Sequence, residues 1–278
     1  MTPRLSSFAT VRTFLKVGTC SEAMGHVLDR AFGHPSKPEE SATAPLAGGI
    51  LQHGYQCGLI WGAALAAGAQ SYRCLGSGPE AEAAALRAAQ SLVSSFRTRN
   101  GEINCLELTE CDWRKPSKVM KYLVKGGTIK CFRMAARFPP VAYDDIRKAM
   151  AAHPPDAPVF PVSCTAELAR RLGASDLQAM MAAGWAGGIG LSGGACGALG
   201  VAIWISGLAR LKGGARRVKM VDPAASKIVD RFVPCAGYEF ECSKIVGRTF
   251  TSVADHADYI KSGGCAKILA TLAAGPAA

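Results

Sequence analysis

The sequence contains no Cys-x-x-Cys pair, which removes both a thioredoxin-type dithiol and a zinc ribbon, and no Cys-x-x-Cys-His, which removes covalent haem c. No run alternates polar and apolar residues with period two, so a sheet-based fold is not expected. Aromatic residues are scarce at 7%. The first residues, Met1–Val17, have no sustained apolar stretch ending at a small-residue cleavage site. With an odd number of cysteines, eleven in 278 residues, this points to a reducing cytoplasm rather than a secreted disulfide scaffold. The five histidines do not recur at matching places, and each is read as structural.

Acidic residues are the minority charge, 21 against 32 Lys and Arg, a net charge of +11. The excess favours an acidic partner. Nucleic acid is not that partner on this reading. Aromatics are few, and the basic residues gather in two loop-like stretches, 114–130 and 210–219, rather than on a helix face. Two long stretches, 41–72 and 177–209, carry no charged residue. Both are interrupted by glycine or polar residues, leaving apolar helices over Gly58–Ala69 and Gly197–Leu208 that suit a buried core better than a bilayer.

What the chain does have is a repeat. Ala47-Gly48-Gly49-Ile50 returns as Ala186-Gly187-Gly188-Ile189, and at the same offset of 139 Gly54, Cys57, Gly58 and Gly68 fall on Gly193, Cys196, Gly197 and Gly207. Cys105 aligns with Cys242, and Tyr122 with Tyr259, at an offset of 137. Cys20 aligns with Cys164. Each half therefore carries a cysteine quartet: Cys20, Cys57, Cys105 and Cys131, then Cys164, Cys196, Cys242 and Cys265. Matching Cys131 to Cys265 requires a three-residue gap. Cys74, Cys111 and Cys235 have no counterpart and are read as small buried residues.

The expected fold is all-α: two tandem, duplicated small helical-bundle domains, 1–150 and 151–278, joined at the proline-rich stretch 153–161. Helices are expected over Glu80–Phe96, Thr165–Ala183, Asp222–Phe232, Ser252–Ser262 and Ala266–Ala274. Cys57 and Cys196 each follow a glycine loop and open a buried helix, where exposed N–H groups and the helix dipole favour a thiolate. They are the candidate catalytic thiols. Gly188, Gly190, Gly193 and Gly194 are candidate cofactor-binding positions, because glycines let the backbone approach a bulky anion. Gly188-Ile-Gly190-Leu-Ser-Gly193 is a literal G-x-G-x-x-G, but it follows a helical segment rather than a strand, so a dinucleotide is not expected there.

The quartets and glycine runs resemble the C-GCAxxG-C-C family of redox-active proteins, here as two fused copies covering most of the chain. In the second copy the resemblance rests on Cys164, Gly187-Gly188-Ile189-Gly190, Cys196-Gly197-Ala198, Cys242 and Cys265. In the first it rests on Cys20, Gly48-Gly49, Cys57-Gly58, Cys105 and Cys131. There are departures. Gln56 and Ala195 replace the family's glycine before the second cysteine, and Gly58 and Gly197 replace the alanine after it. The closing glycine stands at Gly200 in one copy but one position late, at Gly62, in the other.

The resemblance implies a small helical domain with a redox role. Four cysteines per copy is the ligand count of an all-thiolate iron–sulfur cluster or of a structural zinc. The leading expectation is iron–sulfur clusters held by the two quartets, passing electrons to an acidic redox partner. The alternatives are cofactor-free thiol–disulfide chemistry, or a non-catalytic docking subunit of a larger redox complex; assembly as a homo-oligomer or within such a complex is left open.

Overall fold

A computed structural model describes residues 5–152 and 160–274. Among them are fifteen α-helices, one short 3-10 turn and no β-strand. After α1 (Ser7–Val17), a set of seven helices runs α2 (Cys20–Ala31), α3 (Lys37–Ala42), α4 (Gly58–Leu75), α5 (Pro79–Asn100), α6 (Cys105–Thr109), α7 (Pro116–Val124) and α8 (Thr128–Ala151). The set is then repeated as α9 (Cys164–Arg171), α10 (Asp176–Ala183), α11 (Gly197–Lys212), α12 (Pro223–Cys235), α13 (Cys242–Val246), α14 (Val253–Lys261) and α15 (Ala266–Ala273). The all-α, twice-repeated architecture is as expected. Most of the proline-rich junction, residues 153–159, lies outside the described residues.

Three local readings are corrected. Thr165–Ala183 is two helices, because Gly173 adopts a left-handed φ of +77° and Ser175 starts α10 with a reciprocal capping box to Gln178. The basic stretch 114–130 is not a loop: Pro116 opens α7, and Gly126 and Gly127 separate it from α8. Cys74 is exposed in the last turn of α4 rather than buried. Asp222, Ser252 and Ser163 each accept hydrogen bonds from the first backbone N–H groups of α12, α14 and α9, which fixes those helix starts. No helix of the described residues is long and apolar enough to cross a membrane.

The two halves share one hydrophobic core. Trp61, Trp185 and Trp204 are fully buried and form an edge-to-face chain with ring centroids 5.2 and 5.5 Å apart. The Trp185 indole donates to the Trp61 carbonyl at 3.0 Å and that of Trp204 to the Glu39 carbonyl at 2.9 Å. Positions 139 apart meet one another. Gln178 Nε2 donates to Glu39 Oε1 at 3.0 Å, Ala195 N donates to Gln56 Oε1 at 2.9 Å, and the Trp61 ring lies on Gly200, where a Cβ would fall 2.5 Å from it. Contacts between equivalent positions mark a two-fold axis, so the halves pack as an isologous pair within one chain. Trp61 stands where the family pattern has its closing glycine, and Gly200 of the other copy makes the room for it.

Candidate functional site: two cysteine quartets at helix starts

Ahead of each second cysteine the backbone makes a left-handed turn. Gly48, Gly49, Ile50, Leu51 and Gln52 all have positive φ, as do Gly187, Gly188, Ile189, Gly190 and Leu191. Five such residues in succession are strained for L-amino acids, at roughly 1–2 kcal/mol for each non-glycine. The turn is held by its surroundings. A Cβ on Gly49 would lie 2.2 Å from Tyr55 N, and one on Gly188 would lie 2.4 Å from Gly194 O. The chain then runs beside the residues that enter α6 in the first set and α13 in the second. Cys57 N donates to Ile103 O and Cys105 N to Tyr55 O, both at 2.7 Å. In the second half Cys196 N donates to Phe240 O at 2.7 Å and Cys242 N to Gly194 O at 2.6 Å. These bonds bring the second and third cysteines of each quartet together.

All eight quartet cysteines sit at the start of a helix. Cys20, Cys105, Cys164 and Cys242 are first residues, Cys57, Cys196 and Cys265 are cap positions, and Cys131 lies in the first turn of α8. Cys20, Cys57, Cys105 and Cys131 line one cavity of about 230 Å³, with Phe14, Leu59, Trp113 and Phe132 among its walls and neither histidine nor carboxylate in its lining. Four helix N-termini thus meet at four sulfurs. The second quartet is gathered closely enough that Cys196, Cys242 and Cys265 all act electrostatically on Cys164.

The three-residue gap between Cys131 and Cys265 is absorbed by the backbone. The Tyr122 hydroxyl lies 3.2 Å from the Cys131 sulfur, and the matching Tyr259 hydroxyl hydrogen-bonds Cys265. Cys265 reaches that place in a left-handed conformation, φ +60°. Each tyrosine ring also packs flat against a glycine, Gly127 or Gly264.

Burial outweighs the helix starts in setting the thiol acidities. It pushes Cys196 up to about 12 and Cys131 up to about 11. Cys105, Cys164, Cys242 and Cys265 are likewise raised by burial. The expected thiolate at Cys196 therefore does not arise from its helix start alone. Cys20 differs. The Cys57 thiol donates to its sulfur, as do the backbone N–H groups of Gly48, Gly58 and Cys20 itself, and these hold it below the usual thiol value. Donation to Cys20 and burial raise Cys57 well above that value. A Cβ on Gly58 would fall 2.5 Å from the Cys20 sulfur, which explains glycine at that position. Cys57, named from the sequence as a candidate catalytic thiol, thus hydrogen-bonds the first cysteine of its own quartet.

The candidate glycines are occupied by the protein itself. Gly188 O accepts from Gln56 Nε2 at 2.9 Å, and a Cβ on Gly194 would meet that same amide at 1.9 Å. Gly190 lies against the backbone of α5 at Gln90, and Gly193 against Ser243. Gly48, by contrast, lines the first-half cavity.

A family model described as "Putative redox-active protein (C_GCAxxG_C_C)" matches residues 19–138 and again residues 163–275, one match for each helical set. The chain belongs to the C-GCAxxG-C-C family. The two C-GCAxxG-C-C copies are the two sets built on α2–α8 and α9–α15, each with its quartet at helix starts. Comparison with curated proteins and with solved structures gives no match.

Among the described residues, no group of three or more His, Cys, Asp or Glu is placed to hold a single metal ion. The four cysteines of the first quartet line one cavity. Four thiolates are the ligand set of a structural zinc, at about 2.3 Å from the ion, as well as of an all-thiolate cluster. A polynuclear cluster spreads its thiolate ligands around a body, and an apolar, thiol-lined cavity facing four helix N-termini fits such an anionic group.

Proposed function

We propose that this C-GCAxxG-C-C protein is a cytoplasmic electron carrier whose first quartet, Cys20, Cys57, Cys105 and Cys131, holds an iron–sulfur cluster, with Cys164, Cys196, Cys242 and Cys265 as the second ligand set. The observation that carries this reading is the convergence of four cysteines, from four helix starts, on one apolar cavity of about 230 Å³. The cluster, when bound, supplies one-electron chemistry. The chain supplies four sulfurs, N–H groups that stabilise their negative charge, and walls such as Phe14, Trp113 and Phe132 that exclude water. An acidic redox protein suits the +11 chain as partner.

Purification without oxygen, followed by a visible spectrum and assays of iron and acid-labile sulfide, tests the reading. Matched iron and sulfide with a brown chromophore is expected. Replacing Cys57 and Cys196 together by serine should abolish the chromophore, and a retained spectrum would refute the ligand assignment.

A second reading has its own observation, the hydrogen bond from the Cys57 thiol to the Cys20 sulfur. Two thiols in contact can form a disulfide, releasing two protons and two electrons to an acceptor. Mass analysis after alkylation of oxidised and reduced protein decides it; an unchanged free-thiol count ends that idea.

A further inference from the structure

Beside the thiol cavity, on the same helix, lies a second cavity of about 320 Å³ whose lining is dominated by cations. Lys130, Arg133 and Arg137 project from one face of α8, and Arg99 reaches in from the last turn of α5. We propose that this pocket binds a small, multiply charged, phosphate-bearing anion.

Three features support the assignment. First, the cations are uncompensated. No carboxylate lines the pocket, and among the described residues none of the four takes part in an ion pair. Asp145, on which Arg99 acts electrostatically, lies outside the lining. Several arginines elsewhere are paired, Arg30 with Glu40, Arg170 with Glu82, Arg210 with Asp222 and Arg248 with Asp255, whereas the four pocket cations gather with no acid between them. Second, like charges at i, i+3 and i+4 on a helix repel and cost it stability. Three on one face, with a fourth brought against them by another helix, is an arrangement that an anion relieves. Third, the chemistry selects phosphate. Guanidinium forks grip phosphate oxygens in pairs, and three arginines with one lysine exceed what a single carboxylate would need. The Asn100 side chain adds polarity, and buried Met134 and Phe138 form an apolar floor for the uncharged part of a ligand.

Met134 also lines the thiol cavity, and Lys130 adjoins Cys131, so the bound anion would rest against the wall of the first quartet. The site does not depend on what the quartet holds.

Calorimetric titration of the full chain with inorganic pyrophosphate tests the proposal. Saturable binding at about one site per chain is expected, weakening as salt is raised. The double variant Arg133→Gln/Arg137→Gln should lose at least about tenfold in affinity. Lys212→Gln/Arg216→Gln removes the same charge from the other basic stretch and should stay within about twofold of the native chain. Absence of saturable heat with the native chain would overturn the proposal, and so would equal weakening by both variants, which would reduce the effect to net charge. If the α8 variant loses its helical circular dichroism, Arg99→Gln on α5 carries the same test with the same two outcomes.

Discussion

At the scale of single residues, the two quartets differ. Cys20 receives one thiol and three backbone donors, whereas Cys164 accepts from the Gly187 N–H and is raised by burial. Removing the thiol donor with Cys57→Ala should raise the Cys20 pKa and slow its alkylation by iodoacetamide near pH 8, by roughly tenfold for every pH unit that the pKa climbs. Mass spectrometry of the peptide holding Cys20 reads the rate; an unchanged rate would show that the backbone donors suffice.

Asp29 gives a second residue-scale prediction. Its carboxylate is fully buried without a hydrogen-bond partner, and burial, reinforced by Glu40, raises its pKa to about 8. The folded state therefore keeps a proton that the unfolded chain releases near its usual value of about 4. Stability should fall as pH rises from about 4 towards 8, because over that range the unfolded chain gains by releasing the proton that the folded state must keep. Asp29→Asn is neutral and nearly the same shape. It should raise the melting temperature at pH 8 relative to the native chain, with little difference at pH 4.

At the scale of elements, short-range chemistry was largely readable. The helices expected over Asp222–Phe232 and Ser252–Ser262 match α12 and α14 to within a few residues, and the alanine-rich α5 was evident from composition. What failed were segments where a general signal met a specific one. Leu168, Leu172 and Leu177 read as one helix until Gly173 and the Ser175 box break it. Lysine density read as loop across α7. The left-handed turns were legible as glycine runs, but Ile50, Leu51 and Gln52 take the same conformation without being glycine, which only the closed surroundings enforce. Ties between distant elements were out of reach. Glu82 on α5 is fully buried and accepts from Val162 N at 2.7 Å, Ser163 N at 2.9 Å and Arg170 Nη2 at 2.7 Å, fastening α5 to the start of α9. Glu82→Ala leaves that guanidinium and two N–H groups without their acceptor. It should cost about 1–3 kcal/mol for each of the two N–H groups left unpaired, read by urea denaturation, with Arg170 partly rehydrated.

At the scale of the whole molecule, the duplication was visible in the sequence while its consequence was not. Spacing alone suggests two tandem helical-bundle domains, 1–150 and 151–278, and says nothing of how they meet. The structure instead joins the copies across a two-fold axis, with Gln56 as its clasp: the fully buried amide donates to Gly188 O and accepts from Ala195 N, both at 2.9 Å. This accounts for a large polar residue where the family pattern has glycine. Gly68 and Gly207 make the reciprocal fit, the first against Met181 and the second against its counterpart Ala42. A core this continuous leaves neither half a complete apolar interior of its own. Thermal unfolding by calorimetry should therefore show a single transition whose van't Hoff and calorimetric enthalpies agree. Gln56→Ala should lower its midpoint without splitting it: Gly188 O still accepts from the Ser192 hydroxyl, but the buried Ala195 N–H is left unpaired, at a cost of about 1–3 kcal/mol. Two resolved transitions in the native chain would mean that each copy folds by itself, and the axis through Gln56 would then be a contact between finished domains rather than part of their common core.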